Sequence, residues 1–187
     1  SYIQTKKNLA DAGLFSFGSS RNDVNISNIV SYKDKNICFI GYHDLYTYDE
    51  SPVIDEIKNI RPNCDYIIVF AHWGDEYKTI QSERQTMLAH SFIDNGADLI
   101  IGAHPHVVEP VEIYKNKAIF YSLGNFMFDQ DFSYDTQHGL AVSVSIYKDK
   151  TEFELLPTTV IKSSVSLSGE NDINKIYLAA RISANVD

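Results

Sequence analysis

Two short stretches of the chain carry the residue types that metal or hydrolytic chemistry needs. Gly102-Ala103-His104-Pro105-His106 places two histidines one residue apart, and His72-Trp73-Gly74-Asp75-Glu76 adds a third histidine followed by two carboxylates. Each follows a short apolar run, residues 98–101 and 66–71 respectively. Runs of that length suit buried strands better than helices. Loops leaving the carboxyl ends of strands are where open α/β sheets bind ligands. If the two strands are parallel neighbours, three imidazoles converge on one rim, and neutral imidazole is the commonest protein metal ligand. One histidine after a strand more often caps it or bonds to backbone. Three on two such loops, out of six in the chain, point to a metal or catalytic site. His72, His104 and His106 are the expected ligands.

The elements between them fit that arrangement. Residues 81–95 read as an amphipathic helix, with Met87, Leu88, Phe92 and Ile93 as its apolar stripe and Gln81, Glu83, Arg84 and Gln85 opposite. Gly96 ends it. Strand, helix and strand at this spacing form a βαβ unit, which puts both histidine-bearing ends on one edge of a sheet. Upstream, residues 3–12 read as a helix closing at Gly13, residues 14–18 as a short strand, and residues 26–32 and 36–42 as a strand pair. His43 follows the second of these, at the start of a possible rim loop; it reads as a surface histidine, with a place in the site as the alternative. Ser51 and Pro52 open a helix to about Ile60, with Ser51 as N-cap. Beyond His106 the pattern alternates: residues 107–114 with 118–123, and 139–147 with 151–161, read as two antiparallel hairpins. An acidic, aromatic loop fills residues 129–137, a serine-rich linker residues 163–170, and a terminal helix residues 172–184.

The chain has 187 residues, enough for one domain with a full core, and its 44% apolar and 22% charged composition is that of an ordinary globular protein. A net charge of -9 argues against a nucleic-acid surface. No apolar run approaches the roughly 18 residues of a spanning helix. Cys38 and Cys64 lie in or beside apolar runs and read as two small buried core residues; two cysteines do not fix the redox compartment. The chain opens on Ser1, without Met, and reads as a fragment.

Three phrases resemble the CapA family of capsule-synthesis proteins associated with poly-γ-glutamate: His72-Trp-Gly-Asp-Glu-Tyr77, Gly96-Ala-Asp-Leu-Ile-Ile-Gly-Ala-His-Pro-His-Val107 and Tyr121-Ser-Leu-Gly-Asn-Phe126. That family looks like a branch of the calcineurin-like metallophosphoesterases, and the chain resembles its carboxyl-terminal part. The resemblance implies an α/β fold, a layered α/β sandwich of metallo-dependent phosphatase type with its amino-terminal part missing. Residues 1–165 would be the partial domain and residues 166–187 a linker and terminal helix. It implies divalent metal (Mn, Fe or Zn), two ions in a complete domain, with His72, His104 and His106 as the carboxyl-terminal ligands. Pro105 would hold the two imidazoles beside it on one rigid loop. The family's amino-terminal ligands include an Asn-His pair, which this sequence lacks. Three imidazoles without a bridging carboxylate would leave a two-metal site incomplete.

In such a site two metals roughly 3.5–4 Å apart activate water and hold the leaving oxygen of a phosphate or related ester. His72 and His104 would serve one ion and His106 the other. Glu76 is either an acceptor or acid/base group beside the metals or a solvated loop carboxylate. Asn125 either donates to a bound oxyanion or satisfies a turn. Trp73 and Tyr77 either wall the pocket or pack. Two other function classes stay open: a non-catalytic scaffold or binding part of a surface-polymer assembly, and a metal-dependent amide hydrolase. Expected partners are other capsule-synthesis proteins or a surface polymer, with no nucleic acid, at a membrane-associated, extracytoplasmic cell surface. Exposed strand edges would favour self-association.

Overall fold

The computed structural model describes residues 1–22, 24–46 and 48–181. In chain order the elements are helix α1 (Tyr2–Asp11), strands β1 (Ser27–Tyr32) and β2 (Lys35–His43), helix α2 (Ser51–Ile60), strand β3 (Tyr66–His72), helix α3 (Glu83–Asp94), strands β4 (Leu99–Ala103), β5 (Val111–Tyr114), β6 (Lys117–Phe120), β7 (His138–Ile146), β8 (Thr151–Ile161) and β9 (Ser164–Leu167), and helix α4 (Glu170–Ala179). The first six strands form one sheet in the order β1-β2-β3-β4-β6-β5, and the last three form a second, antiparallel sheet. β2, β3, β4 and β6 are parallel, and β1 and β5 are antiparallel edges.

Burial explains the layering. β3 and β4 are apolar on both faces, as parallel strands covered on two sides must be. On one face, Val53, Ile57 and Ile60 of α2 and Leu88, Phe92 and Ile93 of α3 pack on Ile67, Val69, Ile100 and Ile119. On the other, Ile68, Leu99 and Phe120 meet Val142, Val144 and Leu155 of the second sheet, with Phe120 edge-on to Phe153 at 5.5 Å between ring centroids. The result is the expected layered α/β sandwich. α4 closes the second sheet through Ile176, which packs with Val108 and Leu140.

Several local expectations change. Residues 14–18 are not a strand: no strand among the described residues pairs with them, and Phe17 instead stacks on Phe39 at 5.6 Å. In α2 the N-cap is Glu50, one residue before Ser51. α3 starts behind a Ser82–Gln85 capping box. Its stripe is also rotated, since Met87 is exposed and Gln85 is buried. Four residues of the serine-rich stretch form β9, because pairing with β8 satisfies their backbone. α4 begins two residues earlier than expected and ends at Ala179; residues 182–184 of the expected helix lie outside the described residues.

Cys38 and Cys64 are not separate core residues: they form a disulfide across 26 residues of sequence. The short 3-10 turn Arg61–Asn63 after α2 returns the chain to the side of β2, which brings the two Cα atoms to 5.9 Å. Closing a loop of this length removes denatured-state entropy worth about 3–4 kcal/mol. Cys38→Ala with Cys64→Ala is expected to lower the unfolding free energy by about that amount in urea denaturation. Equal midpoints for the variant and the oxidised protein would contradict it.

Candidate metal centre

The three central strands end level with one another. His43 of β2 lies opposite His72 of β3, and His72 opposite Ala103 of β4. The loops beyond are stitched by Trp73 N–H donating to the Ala103 carbonyl (3.1 Å) and Tyr77 N–H donating to the Pro105 carbonyl (2.8 Å). Trp73 is fully buried and donates its Nε1–H to the Tyr121 carbonyl at 2.9 Å, so it packs beneath the rim and does not wall it. Gly102 lies against the same carbonyl, where a Cβ would come within 1.9 Å of the oxygen. His104 and His106 flank Pro105 at φ +107° and +62°. Non-glycine residues adopt such angles only where the surroundings hold them there, and such strain concentrates at ligand-binding loops.

This loop brings His104 and His106 together with Glu76. One ring nitrogen of each histidine and one Glu76 carboxylate oxygen all lie within 4.8 Å of one another. Glu76 Oε1 is 3.9 Å from His106 Nε2. His72 stands beside this group, its ring centroid 4.8 Å from that of His104. His43 stands beyond His72 at 4.9 Å. The carboxylate that the sequence leaves in doubt thus reaches the two imidazoles.

Asn125 reaches the site from below. Its Nδ2 donates to the Thr136 carbonyl (3.0 Å), which turns its Oδ1 to His106 Nδ1 at 2.9 Å. Amide oxygen only accepts, so Nδ1 carries a proton, and in the neutral ring that leaves the lone pair on Nε2, the nitrogen nearer Glu76. Asn125 is buried, with its side chain bonded to His106 and to the Thr136 carbonyl. Tyr77 and Phe128 flank the His106 ring at 5.9 and 5.2 Å, and Phe132 stands edge-on to Tyr77 at 5.3 Å. The aromatic part of the loop after Asn125 therefore walls the site.

The first turn of α3 supports all three strand ends. Arg84 grips Asp44, next to His43, with Nε to Oδ2 at 2.9 Å and NH2 to Oδ1 at 2.6 Å. Gln85 accepts from Ser82 N–H (2.8 Å), which points its Nε2 at Glu109 Oε2 (2.7 Å). Gln85 also lies under Gly74, at φ +80°, where an added Cβ would meet it at 2.7 Å. Arg84, Gln85 and Glu109 escape sequence reasoning. The first two read as one solvated face; His43 repeats the strand-then-histidine pattern of His72 and was legible on that ground.

Desolvation, with the neighbouring His104, His43 and His106 imidazoles adding to it, pushes the His72 imidazole down to about 4. His104 and His43 are lowered from their ordinary value for the same leading reason. The three rings are neutral at pH 7, the protonation state in which imidazole binds metal.

The chain matches the family model "Bacterial capsule synthesis protein PGA_cap" over residues 1–130. It is 31% identical over 196 residues to the capsule biosynthesis protein CapA of Bacillus anthracis, covering 92% of this chain and 47% of that protein. It is 43% identical over 110 residues to the PGA biosynthesis protein CapA of Bacillus subtilis (strain 168), covering 58% of this chain and 28% of that one. The chain thus spans less than half the length of these relatives. Among solved structures it resembles the sulfate thiohydrolase SoxB of Thermus thermophilus, with a TM-score of 0.56, 13% identity, and coverage of 95% of this chain and 34% of that one. It also resembles a putative 5′-nucleotidase of Staphylococcus aureus, with a TM-score of 0.50, 16% identity, and coverage of 83% and 33%. At these identities the likeness concerns the fold, which is of the metallophosphoesterase type.

Glu109 provides a test of the scaffold under the rim. It is buried, and burial pushes its carboxyl up from 4.5 to about 7, with Asp75 adding to that and the Gln85 bond opposing it. The folded protein therefore keeps a proton that the unfolded chain loses. The associated stability is present below pH 4.5 and is lost as pH rises through about 7. Glu109→Gln is expected to flatten unfolding free energy against pH between about pH 5 and 8, by up to about 3 kcal/mol. An unchanged pH slope in the variant would contradict this.

Proposed function

The chain belongs to the bacterial capsule synthesis protein family PGA_cap, and from that premise we propose that it carries a metal-dependent, phosphoesterase-like hydrolytic site of a capsule or poly-γ-glutamate biosynthesis protein. The observation that supports this most is the convergence of His104, His106 and Glu76 donor atoms within 4.8 Å on a strained loop. Two imidazoles and a carboxylate suit Mn, Fe or Zn, and the His106–Asn125 hydrogen bond is the kind of contact that orients such a ligand. His104, His106 and Glu76 would hold one ion, and His72 would face a neighbouring position. A divalent cation there would acidify a bound water and polarise the ester oxygen.

The residues of this chain do the rest. Asn125 keeps the His106 proton on Nδ1 and the lone pair on Nε2. Tyr77, Phe128 and Phe132 screen the His106 side from bulk water. Glu76 is half exposed, so the ion it would help hold stays open to water and substrate on that side. The Cys38–Cys64 disulfide supports an oxidising, extracytoplasmic setting at the cell surface, because such bonds persist there and are rare in the cytosol. Among the described residues no helix is long and apolar enough to cross a membrane. Capsule-synthesis proteins or the surface polymer itself are the partners this reading implies, and the open edge of β1 favours self-association.

Elemental analysis of purified protein tests the ligand set. The protein is expected to retain divalent metal, and His104→Ala and His106→Ala, each short of one ligand, are both expected to bind it more weakly and retain less after purification. Unchanged metal in both would sink the assignment. Asn125→Leu is expected to weaken metal affinity about 10–100-fold with the fold intact; unaltered affinity would remove Asn125 from the role given to it.

A further inference from the structure

We propose that His43 is a positioning residue for His72: the face of its ring is the surface against which the His72 imidazole is held with an edge toward His104. This rests on the reading that His72 faces a metal position. Three sets of observations carry it.

The first is that His43 is placed with more care than a surface histidine needs. Asn22, almost wholly buried, brackets its backbone with Nδ2 donating to the His43 carbonyl and Oδ1 accepting the His43 N–H, both at 2.9 Å. The next residue, Asp44, donates its N–H to the His72 carbonyl at 2.9 Å, and its carboxylate is clamped by Arg84. The Cα atoms of His43 and His72 are also direct partners across β2 and β3.

The second is ring geometry. Tyr46, His43 and His72 form a ladder, with centroids 5.1 and 4.9 Å apart and interplanar angles of 10° and 14°. His72 then tilts 45° to His104 at 4.8 Å. Two ligands that share a cation aim in-plane lone pairs at one point, and rings stacked almost parallel cannot do that. The three-donor group of Glu76, His104 and His106 leaves out both His43 and His72, and of these two only His72 adjoins it through His104. His43 Nδ1 accepts from Leu45 N–H at 3.3 Å, which turns that nitrogen toward backbone. It is the face of His43, not a nitrogen, that meets His72.

The third is need. His72 ends β3 at the solvent rim, with part of its surface exposed although its ring is crowded by neighbouring imidazoles, and the terminal torsion of an imidazole is intrinsically broad. A flat ring on one side removes that freedom. Residues that orient a metal ligand typically change affinity about 10–100-fold when removed.

The test compares His43→Ala, His43→Phe and His72→Ala by zinc affinity, using competition with a chromophoric chelator, and by 13C relaxation of the His72 ring in metal-free protein. His43→Ala is expected to weaken zinc about tenfold and to lower the order of the His72 ring. His43→Phe keeps the flat face and is expected to restore both to within about twofold. Unchanged affinity and ring order in His43→Ala would overturn the proposal. So would His43→Phe behaving like His43→Ala, since a nitrogen would then be what matters. Zinc affinity unchanged in His72→Ala would instead remove His72 from the metal reading. The ring-order measurement would still decide whether His43 holds it.

Discussion

The structure depends on the level ending of three parallel strands and on one helical turn that keeps their loops level. β2, β3 and β4 share a register that sets His43, His72 and Ala103 side by side. Parallel pairing alone would leave the loops beyond free to diverge. The first turn of α3 prevents this by reaching each of them: Arg84 to Asp44, Gln85 beneath Gly74, and Gln85 again to Glu109. Its Gln85 is buried and hydrogen-bonded to Ser82 and Glu109, as a buried polar group must be. The stability of the βαβ unit and the geometry of the rim are therefore the same set of contacts.

Much of this was legible in the sequence. The apolar runs before His72 and Gly102, with an amphipathic helix between them, announce parallel strands with both histidine loops on one edge. Donor atoms of His104, His106 and Glu76 lie within 4.8 Å of one another there, with His72 beside them and outside that group. The parts that were not legible share a cause. Gln85 and Arg84 look like solvent-facing residues of an amphipathic helix, and only the tertiary position of their turn buries one and pairs the other. Asn125 sits after a glycine, which suggests a turn; its contact with His106 depends on Thr136, 11 residues on, fixing its amide orientation. Cys38 and Cys64 are 26 residues apart, and nothing local tells a paired from an unpaired buried thiol. The serine-rich β9 has little intrinsic strand preference and forms because β8 offers an edge.

Strain and support appear together at the rim. His104 and His106 hold positive φ on either side of a proline, and Tyr77 holds φ +64° where its N–H binds the Pro105 carbonyl. Such backbone would relax if it were not over-determined. It is held by the close approach of Gly102 to Tyr121, by the buried Trp73 and by Asn125. A fold of the metallophosphoesterase type uses a packed interior to keep this loop strained, and the proposed chemistry uses the lone pairs that the strain exposes.

The central claim is that this rim binds a divalent cation through His104, His106 and Glu76. X-ray absorption at the metal edge of the loaded protein tests it most directly. The account predicts a first shell of mixed nitrogen and oxygen, with outer-shell scattering from two or three imidazoles that falls by one ring in His106→Ala. A shell of oxygen alone, or imidazole scattering unaffected by that substitution, would contradict it.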